Sequence, residues 1–187
     1  EQAAAAGAEF RMGEVEQLLP SEIGWRLVTP EGNVDARAVI IATGSRIRTL
    51  GVPGEERLTG KGVSHCASCD GPLLRGKSVV VVGAGDAGLQ EALALAELAA
   101  KVTVLDRSPE SSAQADYQRR VRAHGKIELL LDQTVDEILG DEVVTGVRSR
   151  QNRSGNSTVF DTDAVFIYGG LVPNVELVAN LIDEWQK

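Results

Sequence analysis

The chain has 187 residues, of which 43% are hydrophobic and 25% charged, a composition typical of a globular protein with one substantial core. Its 19 basic and 27 acidic residues give a formal net charge of -8, which disfavours binding to the phosphate backbone of nucleic acid. No stretch approaches the roughly 18 apolar residues of a membrane span, and the Ala-rich run after Glu1 lacks the basic start of a leader. We therefore expect a cytoplasmic protein without membrane contact.

The first part of the chain contains three runs with the residue pattern of β-strands, at residues 9–19, 22–29 and 34–42. The turn-forming residues 30–33 join the last two runs, so we expect an antiparallel meander. A stretch punctuated by glycine and proline follows at residues 43–54, and it predicts a linker between two domains.

From Lys77 the pattern changes to that of a parallel sheet crossed by helices. The continuous apolar run 79–82 predicts a strand buried on both faces, and the helical stretch 86–100 leads to a second strand at 102–105. This order implies a right-handed crossover between parallel neighbours. The segments that follow are a polar helix around Tyr117, a strand at 127–131, an antiparallel insert at 135–139, 143–150 and 158–160, and a strand at 164–168.

A glycine fingerprint lies between the first of these strands and its helix. Its residues Gly83, Ala84, Gly85, Asp86, Ala87 and Gly88 fit the pattern GxGxxG. In this context the first glycine permits the tight turn, the second lets the backbone approach a pyrophosphate, and the third lets helix and strand pack closely. The sequence therefore predicts an α/β fold with a Rossmann-like, doubly wound parallel sheet that binds a dinucleotide. A glycine turn that merely packs is the alternative.

Asp106 ends the second strand, eighteen residues after Gly88, which is near the spacing of the acid that holds a ribose 2′-hydroxyl. This carboxylate favours NADH over NADPH, because it would repel a 2′-phosphate by about 1 kcal/mol per charge pair in water and by more at lower dielectric. Arg107 is adjacent and would soften that preference. A helix N-cap or a solvated turn residue is the other interpretation of Asp106.

The only two cysteines, Cys66 and Cys69, lie three residues apart and are followed by Asp70. Two thiols at this spacing can form and open a disulfide across one helical turn, which indicates thiol–disulfide exchange with Asp70 as a proton donor or acceptor. A zinc site with His65 is an alternative, but a tetrahedral site needs four ligands, so no metal is predicted. Two buried cysteines without chemistry are the other alternative.

Taken in order, four motifs resemble the low-molecular-weight thioredoxin reductases and are similar as well to the flavoprotein subunit of alkyl hydroperoxide reductase. They are Ala42-Thr43-Gly44, the segment from Cys66 to Gly71, the strand and fingerprint at 79–88, and Gly170-Leu171-Val172-Pro173-Asn174. The resemblance covers nearly the whole chain.

The resemblance implies that NAD(P)H reduces FAD, that the flavin reduces the Cys66–Cys69 disulfide, and that the dithiol reduces a thioredoxin-like or peroxiredoxin-like protein disulfide. It also implies that Cys69 faces the flavin, Cys66 attacks the partner and Asp70 supplies protons. Thr43, Gly44 and Gly170 are expected beside the cofactors. The family rotates its nicotinamide domain about two linkers, here expected near residues 46–53 and 169–173.

This chain departs from the thioredoxin reductase pattern in two places. Asp106-Arg107-Ser108 stands where a His-Arg-Arg cluster would clamp the 2′-phosphate, which resembles the NADH-using hydroperoxide reductase branch. The chain also has one GxGxxG only, and neither the flavin fingerprint nor the Gly-Asp flavin motif of the family. We therefore expect a fragment that does not hold FAD and is inactive alone, whereas the full-length enzyme would hold FAD and form a homodimer.

The expected organisation is a remnant of the FAD domain at 1–49, an NAD(P)H-binding domain with the cysteine pair at 50–168, and a return segment at 169–187. Two alternatives remain open: a dinucleotide-binding module with inert cysteines, and a related flavoprotein that passes electrons to ferredoxin or a quinone. Tyr168, at the carboxyl end of a strand, is a weaker candidate for cofactor contact. Trp25 and Trp185 are expected to be packing residues.

Overall fold

A computed structural model of the chain describes residues 1–181, which fall into two compact units. The meander unit comprises Glu1–Arg46 together with the chain from Val172 on, and the sheet unit comprises Ile47–Leu171. Residues 182–187, with Trp185 and the end of the expected return segment, lie outside the described residues. No helix within residues 1–181 is long and apolar enough to cross a membrane.

Strands and helices are numbered in chain order. The strands are β1 (Gln17–Ser21), β2 (Gly24–Val28), β3 (Val34–Ala36), β4 (Ser45–Ile47), β5 (Val63–Ser64), β6 (Ser78–Val82), β7 (Lys101–Leu105), β8 (Ile127–Leu130), β9 (Gln133–Leu139), β10 (Gly146–Gln151), β11 (Ser157–Asp161), β12 (Ala164–Ile167) and β13 (Leu171–Pro173). The helices are α1 (Gln2–Ala5), α2 (Glu55–Leu58), α3 (Ala67–Asp70), α4 (Asp86–Ala96) and α5 (Ala115–Ala123), and 3₁₀ turns cover Gly71–Leu74 and Glu176–Val178.

The sheet unit is built on five parallel strands in the order β5-β12-β6-β7-β8. Alternate residues of the central strand β6 face two separate cores. Val79 and Val81 share a core with Leu89 of α4, whereas Val80 shares another with Ile138 of β9. Strand β6 is therefore buried on both faces, as its unbroken apolar run predicts.

The insert covers the second core as a three-stranded antiparallel sheet in the order β11-β10-β9. Its middle strand begins at Gly146 and not at residue 143, because the N–H of Val144 donates to the carbonyl oxygen of Lys61 outside the ladder. The predicted fold class, a Rossmann-like parallel sheet with a small antiparallel insert, is confirmed.

In the meander unit β1, β2 and β3 form an antiparallel sheet, which confirms the predicted meander, but all three strands are shorter than predicted. Strand β1 begins only at Gln17, near the end of the run predicted at residues 9–19, and continues to Ser21. Strand β3 stops at Ala36, which pairs with Trp25, because β2 begins at Gly24 and offers no partner beyond it. The apolar residues that follow lie outside any strand, and Ile40 is 93% exposed.

Other boundaries in the sheet unit differ where local bonds outweigh the apolar pattern. Helix α4 ends at Ala96 instead of residue 100, and the ammonium of Lys126 caps it by donating to the carbonyl oxygens of Ala96 (2.8 Å) and Ala99 (3.0 Å). Strand β5 was not predicted, and helix α3 was expected only as a helical turn between the two cysteines. With two and four residues, they are too short for a periodicity signal.

The stretch predicted as a linker at residues 43–54 is more ordered than expected, because it contains β4, which pairs with β13. Its later part is fixed by Glu55, a carboxylate only 6% exposed. Glu55 accepts hydrogen bonds from the backbone N–H groups of Leu50 (3.0 Å) and Gly51 (2.7 Å). These bonds compensate for the burial of the acid and anchor the start of the sheet unit.

Candidate functional site

The fingerprint loop runs from the end of β6 into α4. Gly83 has a φ of 118°, and a Cβ there would lie 2.3 Å from the carbonyl oxygen of Tyr168. A Cβ on Gly88 would lie 1.9 Å from the carbonyl oxygen of Gly83, so close packing of helix on loop requires the third glycine. A Cβ on Gly85 would meet only Ser112 Oγ at 3.5 Å, so this glycine leaves room for a ligand.

Asp106 follows β7 and holds the fingerprint loop. Its Oδ2 accepts a hydrogen bond of 2.6 Å from the N–H of Ala84, and its Oδ1 accepts one of 2.7 Å from the N–H of Ser108. Each carboxylate oxygen has a second acceptor site, so Asp106 can also accept from a hydroxyl. Sequence reasoning placed this acid beside a ribose but missed its bond to the loop, which joins residues 22 positions apart.

A cavity of ≈ 400 Å³ opens beside the loop within the sheet unit. The residues of its wall include Gly83, Gly85, Asp106, Arg107, Ser112, Tyr168 and Gly170. The wall thus follows the carboxyl ends of β6, β7 and β12, which is where open parallel sheets bind ligands. Of the predicted cofactor residues, the structure brings five to this one cavity: Gly83, Gly85, Asp106, Arg107 and Gly170.

Arg107 has an exposed side chain and a backbone that is held by the insert. Asn152, in the turn between β10 and β11, donates from Nδ2 to the carbonyl oxygen of Arg107 at 2.9 Å. Thr134 Oγ1 donates in turn to Asn152 Oδ1 at 2.7 Å, and the N–H of Asp132 donates to the carbonyl oxygen of Ser108 at 2.9 Å. These bonds fix the loop after β7, and no local pattern predicts them because the partners are distant in the chain.

Asp86 and Ala87, the remaining fingerprint residues, open α4 and are exposed. The carboxylate of Asp86 accepts from the backbone N–H of Gln114 at 2.7 Å and from its Nε2 at 2.8 Å. These two bonds, the backbone one first, hold the pKa of Asp86 below its usual value. Asp86 therefore fastens the start of α5 to the start of α4.

Cys66 and Cys69 are joined by a disulfide, with their Cα atoms 5.3 Å apart. Helix α3 begins directly after Cys66, and Cys69 is the more exposed of the two. Because the sulfurs are bonded to each other, neither is a thiolate that could bind zinc. His65 Nδ1 lies 3.2 Å from the carbonyl oxygen of Ile167, and residues 1–181 gather no group of three or more side chains able to hold a metal ion.

The disulfide turn is surrounded by short polar contacts. The N–H of Cys66 donates to Ser64 Oγ at 3.1 Å, and Cys66 Sγ lies 3.4 Å from Ser68 Oγ. The N–H of Asp70 donates to the carbonyl oxygen of Cys66 at 3.1 Å, and this bond closes the turn. The half-buried Asp70 thus follows the disulfide directly, and its part in proton transfer stays a prediction.

Tyr168 contacts the disulfide turn as well as the cavity. Its hydroxyl oxygen accepts a hydrogen bond of 3.1 Å from the N–H of Ala67, which lies between the two cysteines. Burial raises the pKa of Tyr168, and the negative charge of Glu91 adds to the shift, although the bond from Ala67 opposes it. The position of Tyr168 at a strand end was the only sequence signal for this residue.

Thr43 and Gly44 belong to the meander unit, unlike the other predicted cofactor residues. Asn174 Nδ2 donates to the carbonyl oxygen of Thr43 at 3.0 Å, and the N–H of Asn174 donates to that of Gly44 at 3.0 Å. The motif Ala42-Thr43-Gly44 and the end of the Gly170–Asn174 motif are therefore hydrogen-bonded to each other.

The sequence of this chain is similar to those of known proteins. The family described as pyridine nucleotide-disulphide oxidoreductase matches residues 5–185. The chain is 38% identical to a thioredoxin reductase of Listeria monocytogenes over 176 residues, which is 94% of this chain and 55% of that protein. It is 36% identical to an alkyl hydroperoxide reductase subunit of Staphylococcus epidermidis over 150 residues, covering 80% of this chain and 30% of that protein.

Among solved structures, the chain superposes on Lactococcus lactis thioredoxin reductase with a TM-score of 0.83 and 33% sequence identity. The match covers 97% of this chain and 60% of that one. The chain thus spans about half the length of the thioredoxin reductases that it matches.

Proposed function

Because the chain belongs to the pyridine nucleotide-disulphide oxidoreductase family, we propose that it forms the dinucleotide-binding and redox-disulfide portion of a thioredoxin reductase-like enzyme. The observation that carries the proposal is that one compact unit holds both the fingerprint cavity and the Cys66–Cys69 disulfide. In the complete enzyme, electrons pass from the nicotinamide through FAD to this disulfide and then to the disulfide of a protein partner.

The domain assignment follows from that proposal. Residues 50–168 form the nicotinamide-binding domain, whereas residues 1–49 and 169–187 belong to the flavin domain. When bound in the complete enzyme, FAD supplies hydride acceptance and two-electron transfer. The residues that the family resemblance places near it, Thr43 and Gly44, accept hydrogen bonds from Asn174 through their carbonyl oxygens. The complete enzyme is proposed to be a cytoplasmic homodimer.

The dinucleotide is proposed to be NADH. The pyrophosphate would lie against the open side of Gly85, where the N-terminal amides of α4 meet a negative charge. Asp106 would accept from the ribose hydroxyls while it keeps its bonds to the amides of Ala84 and Ser108. A 2′-phosphate at that position would meet this carboxylate, with Arg107 as the nearest cationic neighbour in the chain, so NADPH should bind less tightly.

Exchange with the partner needs only the dithiol. The thiolate of Cys66 attacks one sulfur of the partner's disulfide, and the other sulfur leaves as a thiolate. Cys69 then attacks the mixed disulfide, which releases the partner as a dithiol and re-forms the Cys66–Cys69 bond. Ser68 Oγ, 3.4 Å from Cys66 Sγ, can donate to the attacking thiolate, and Asp70 is the proposed carrier of protons. The partner is a thioredoxin-like or peroxiredoxin-like protein.

Two measurements on the chain test this function. Thiol titration should find no free thiol before reduction and two afterwards, reversibly, and persistent thiols in the oxidised protein would leave only a dinucleotide-binding module. Calorimetry should find NADH binding at least tenfold tighter than NADPH binding. Equal affinity for the two would refute the role of Asp106.

The assignment of the two sulfurs is tested by trapping. Cys69→Ser should form a stable mixed disulfide with an oxidised thioredoxin or peroxiredoxin through Cys66, because the resolving thiol is gone. Cys66→Ser is the matched control and should trap little. The reverse result would exchange the roles of the two cysteines, which is a pointed test because Cys69 is the more exposed one in this structure.

A further inference from the structure

Tyr168 makes contacts with both parts of the site, the fingerprint loop and the disulfide turn. We propose that Tyr168 is a positioning residue for the redox disulfide, whose hydroxyl holds the N–H of Ala67 in the closed, oxidised turn and thereby makes the Cys66–Cys69 bond harder to reduce. The inference rests on the proposed function only in requiring that this disulfide is reduced and re-formed.

The hydrogen bond satisfies a group that has no partner in its own helix. Ala67 is the first residue of α3, and the first N–H groups of a helix have no intrahelical acceptor. Ala67 is also only 5% exposed, so water is a poor substitute. The hydroxyl oxygen of Tyr168, 3.1 Å away, supplies the acceptor.

The chain on both sides of Cys66 is held by two consecutive residues at the end of β12. Ala67, after the cysteine, donates to the side chain of Tyr168, and His65, before it, has Nδ1 3.2 Å from the carbonyl oxygen of Ile167. The backbone of Cys66 is thus positioned from outside its own helix, by a strand end buried in the sheet.

Tyr168 itself is firmly placed. Its N–H donates to the carbonyl oxygen of Val82 at 2.8 Å, and its own carbonyl oxygen lies so close to Gly83 that this glycine has no room for a side chain. Burial raises the pKa of Tyr168, so the phenol keeps its proton at neutral pH and its oxygen remains a neutral acceptor. The same residue lines the fingerprint cavity.

Reduction of the disulfide changes which acceptors are available to the N–H of Ala67. The S–S bond breaks as it takes up two electrons and one proton, which leaves Cys69 as a thiol and Cys66 as a thiolate, and the sulfurs separate beyond bonding distance. The N–H next to a Cys66 thiolate can then donate to sulfur, so its bond to Tyr168 favours the oxidised turn. A net hydrogen-bond contribution of about 1 kcal/mol corresponds to roughly a fivefold to tenfold shift in the redox equilibrium.

The test is the redox equilibrium of the intact chain in dithiothreitol buffers, with thiols counted by alkylation and mass measurement. Dithiothreitol gives up the two electrons and closes to its cyclic disulfide. We expect Tyr168→Phe to be half-reduced at a ratio of reduced to oxidised dithiothreitol about fivefold to tenfold lower than wild type, and tenfold corresponds to about 30 mV. Equal midpoints within twofold would overturn the proposal.

Tyr117→Phe is the matched control. It removes the other tyrosine hydroxyl, which bonds to Gln90 Oε1 at 3.2 Å and not to the disulfide turn. We expect its midpoint to stay within twofold of wild type. A shift as large as that of Tyr168→Phe would mean that loss of any tyrosine hydroxyl loosens the disulfide, and the specific role of Tyr168 would be lost.

Ala67→Pro removes the same bond from the donor side, so it also serves if Tyr168→Phe fails to fold. Proline is tolerated at the first position of a helix, and the extended backbone of Cys66 suits a following proline. We expect a shift in the same direction, with the double variant shifting no further than the larger single one, whereas additive shifts would contradict a shared bond. A wild-type disulfide that does not reduce reversibly would overturn the proposed function instead.

Discussion

The two units of this chain use similar apolar runs with opposite results. Among residues 1–181, all the buried hydrophobic residues except Val178 lie between Leu58 and Ile167, in the sheet unit. In the meander unit, Met12 is 97% and Ile40 93% exposed. The difference shows that an apolar run forms a core only where a second layer covers it, as the helices and the insert cover the two faces of the parallel sheet.

The largest effect should come from deleting a side chain of the covered sheet. Phe166 is fully buried, and Phe166→Ala should lower the free energy of unfolding by about 3–5 kcal/mol, because it loses transfer energy and leaves a cavity. Phe10, 70% exposed in the meander unit, is the matched control, and Phe10→Ala should change it by less than about 0.5 kcal/mol. Urea denaturation measures both, and equal losses would remove the contrast between the units.

The next effect concerns the close contact between helix and loop at the fingerprint of the sheet unit. Gly88→Ala should cost about 3 kcal/mol of folding stability and abolish NADH binding, because its Cβ would lie 1.9 Å from the carbonyl oxygen of Gly83. Gly125→Ala is the control, since no heavy atom lies within 4 Å of a Cβ there. Thermal unfolding measures the stability of both variants, and calorimetry measures their NADH binding. A stable Gly88→Ala protein that still binds NADH would contradict the requirement for close packing.

A smaller effect is expected from Asp106→Asn, which keeps the shape of the side chain, removes its charge and replaces one of the two oxygens that accept from the N–H groups of Ala84 and Ser108. NADH should bind about tenfold more weakly, and the preference for NADH over NADPH should shrink, because a charged hydrogen bond to ribose is worth roughly 1.5 kcal/mol. Asp141→Asn, on an exposed residue after β9, should leave both affinities unchanged. Calorimetry with NADH and NADPH measures these affinities. An unchanged preference for NADH in Asp106→Asn would mean that residues other than Asp106 distinguish the two nucleotides.

The smallest effect is a pH dependence in the sheet unit. Burial of Asp163 opposes ionisation, but its bonds from Lys77 Nζ and the N–H of Ser78, both 3.0 Å, outweigh this and lower the pKa of Asp163. The contribution of ionised Asp163 to folding stability is therefore fully present above about pH 4, its pKa in the unfolded chain. It is lost as the pH falls through the lower pKa of the folded state. Asp163→Asn should flatten this acid dependence by less than about 1 kcal/mol, because the pair is partly exposed. Urea denaturation between about pH 2 and 6 measures the free energy of unfolding of both proteins. The prediction fails if this free energy depends on pH in the same way in Asp163→Asn and in wild type.

The sequence was sufficient for features that depend on periodicity or on a glycine. The buried strand β6, the helix after it and the requirement for Gly83 and Gly88 follow from local pattern and steric rules. The ends of strands could not be predicted from local pattern. Strand β3, for example, stops where its neighbour β2 stops, and the position of that end depends on how the two strands pair. Contacts between distant residues were missed for a similar reason: neither the bond from Ala67 to Tyr168 nor that from Ala84 to Asp106 has a local signature.

The brace from Asn152 to the backbone of Arg107 has a consequence for how the nucleotide preference can change. Asn152 and the N–H of Asp132 bond to the carbonyl groups of Arg107 and Ser108 and not to their side chains, so these bonds do not depend on which side chains the two positions carry. The side chains at positions 107 and 108 can therefore be replaced by cationic or neutral ones, one position at a time. A lineage, or a protein engineer, could retune cofactor choice at this rim without redesigning the scaffold beneath it.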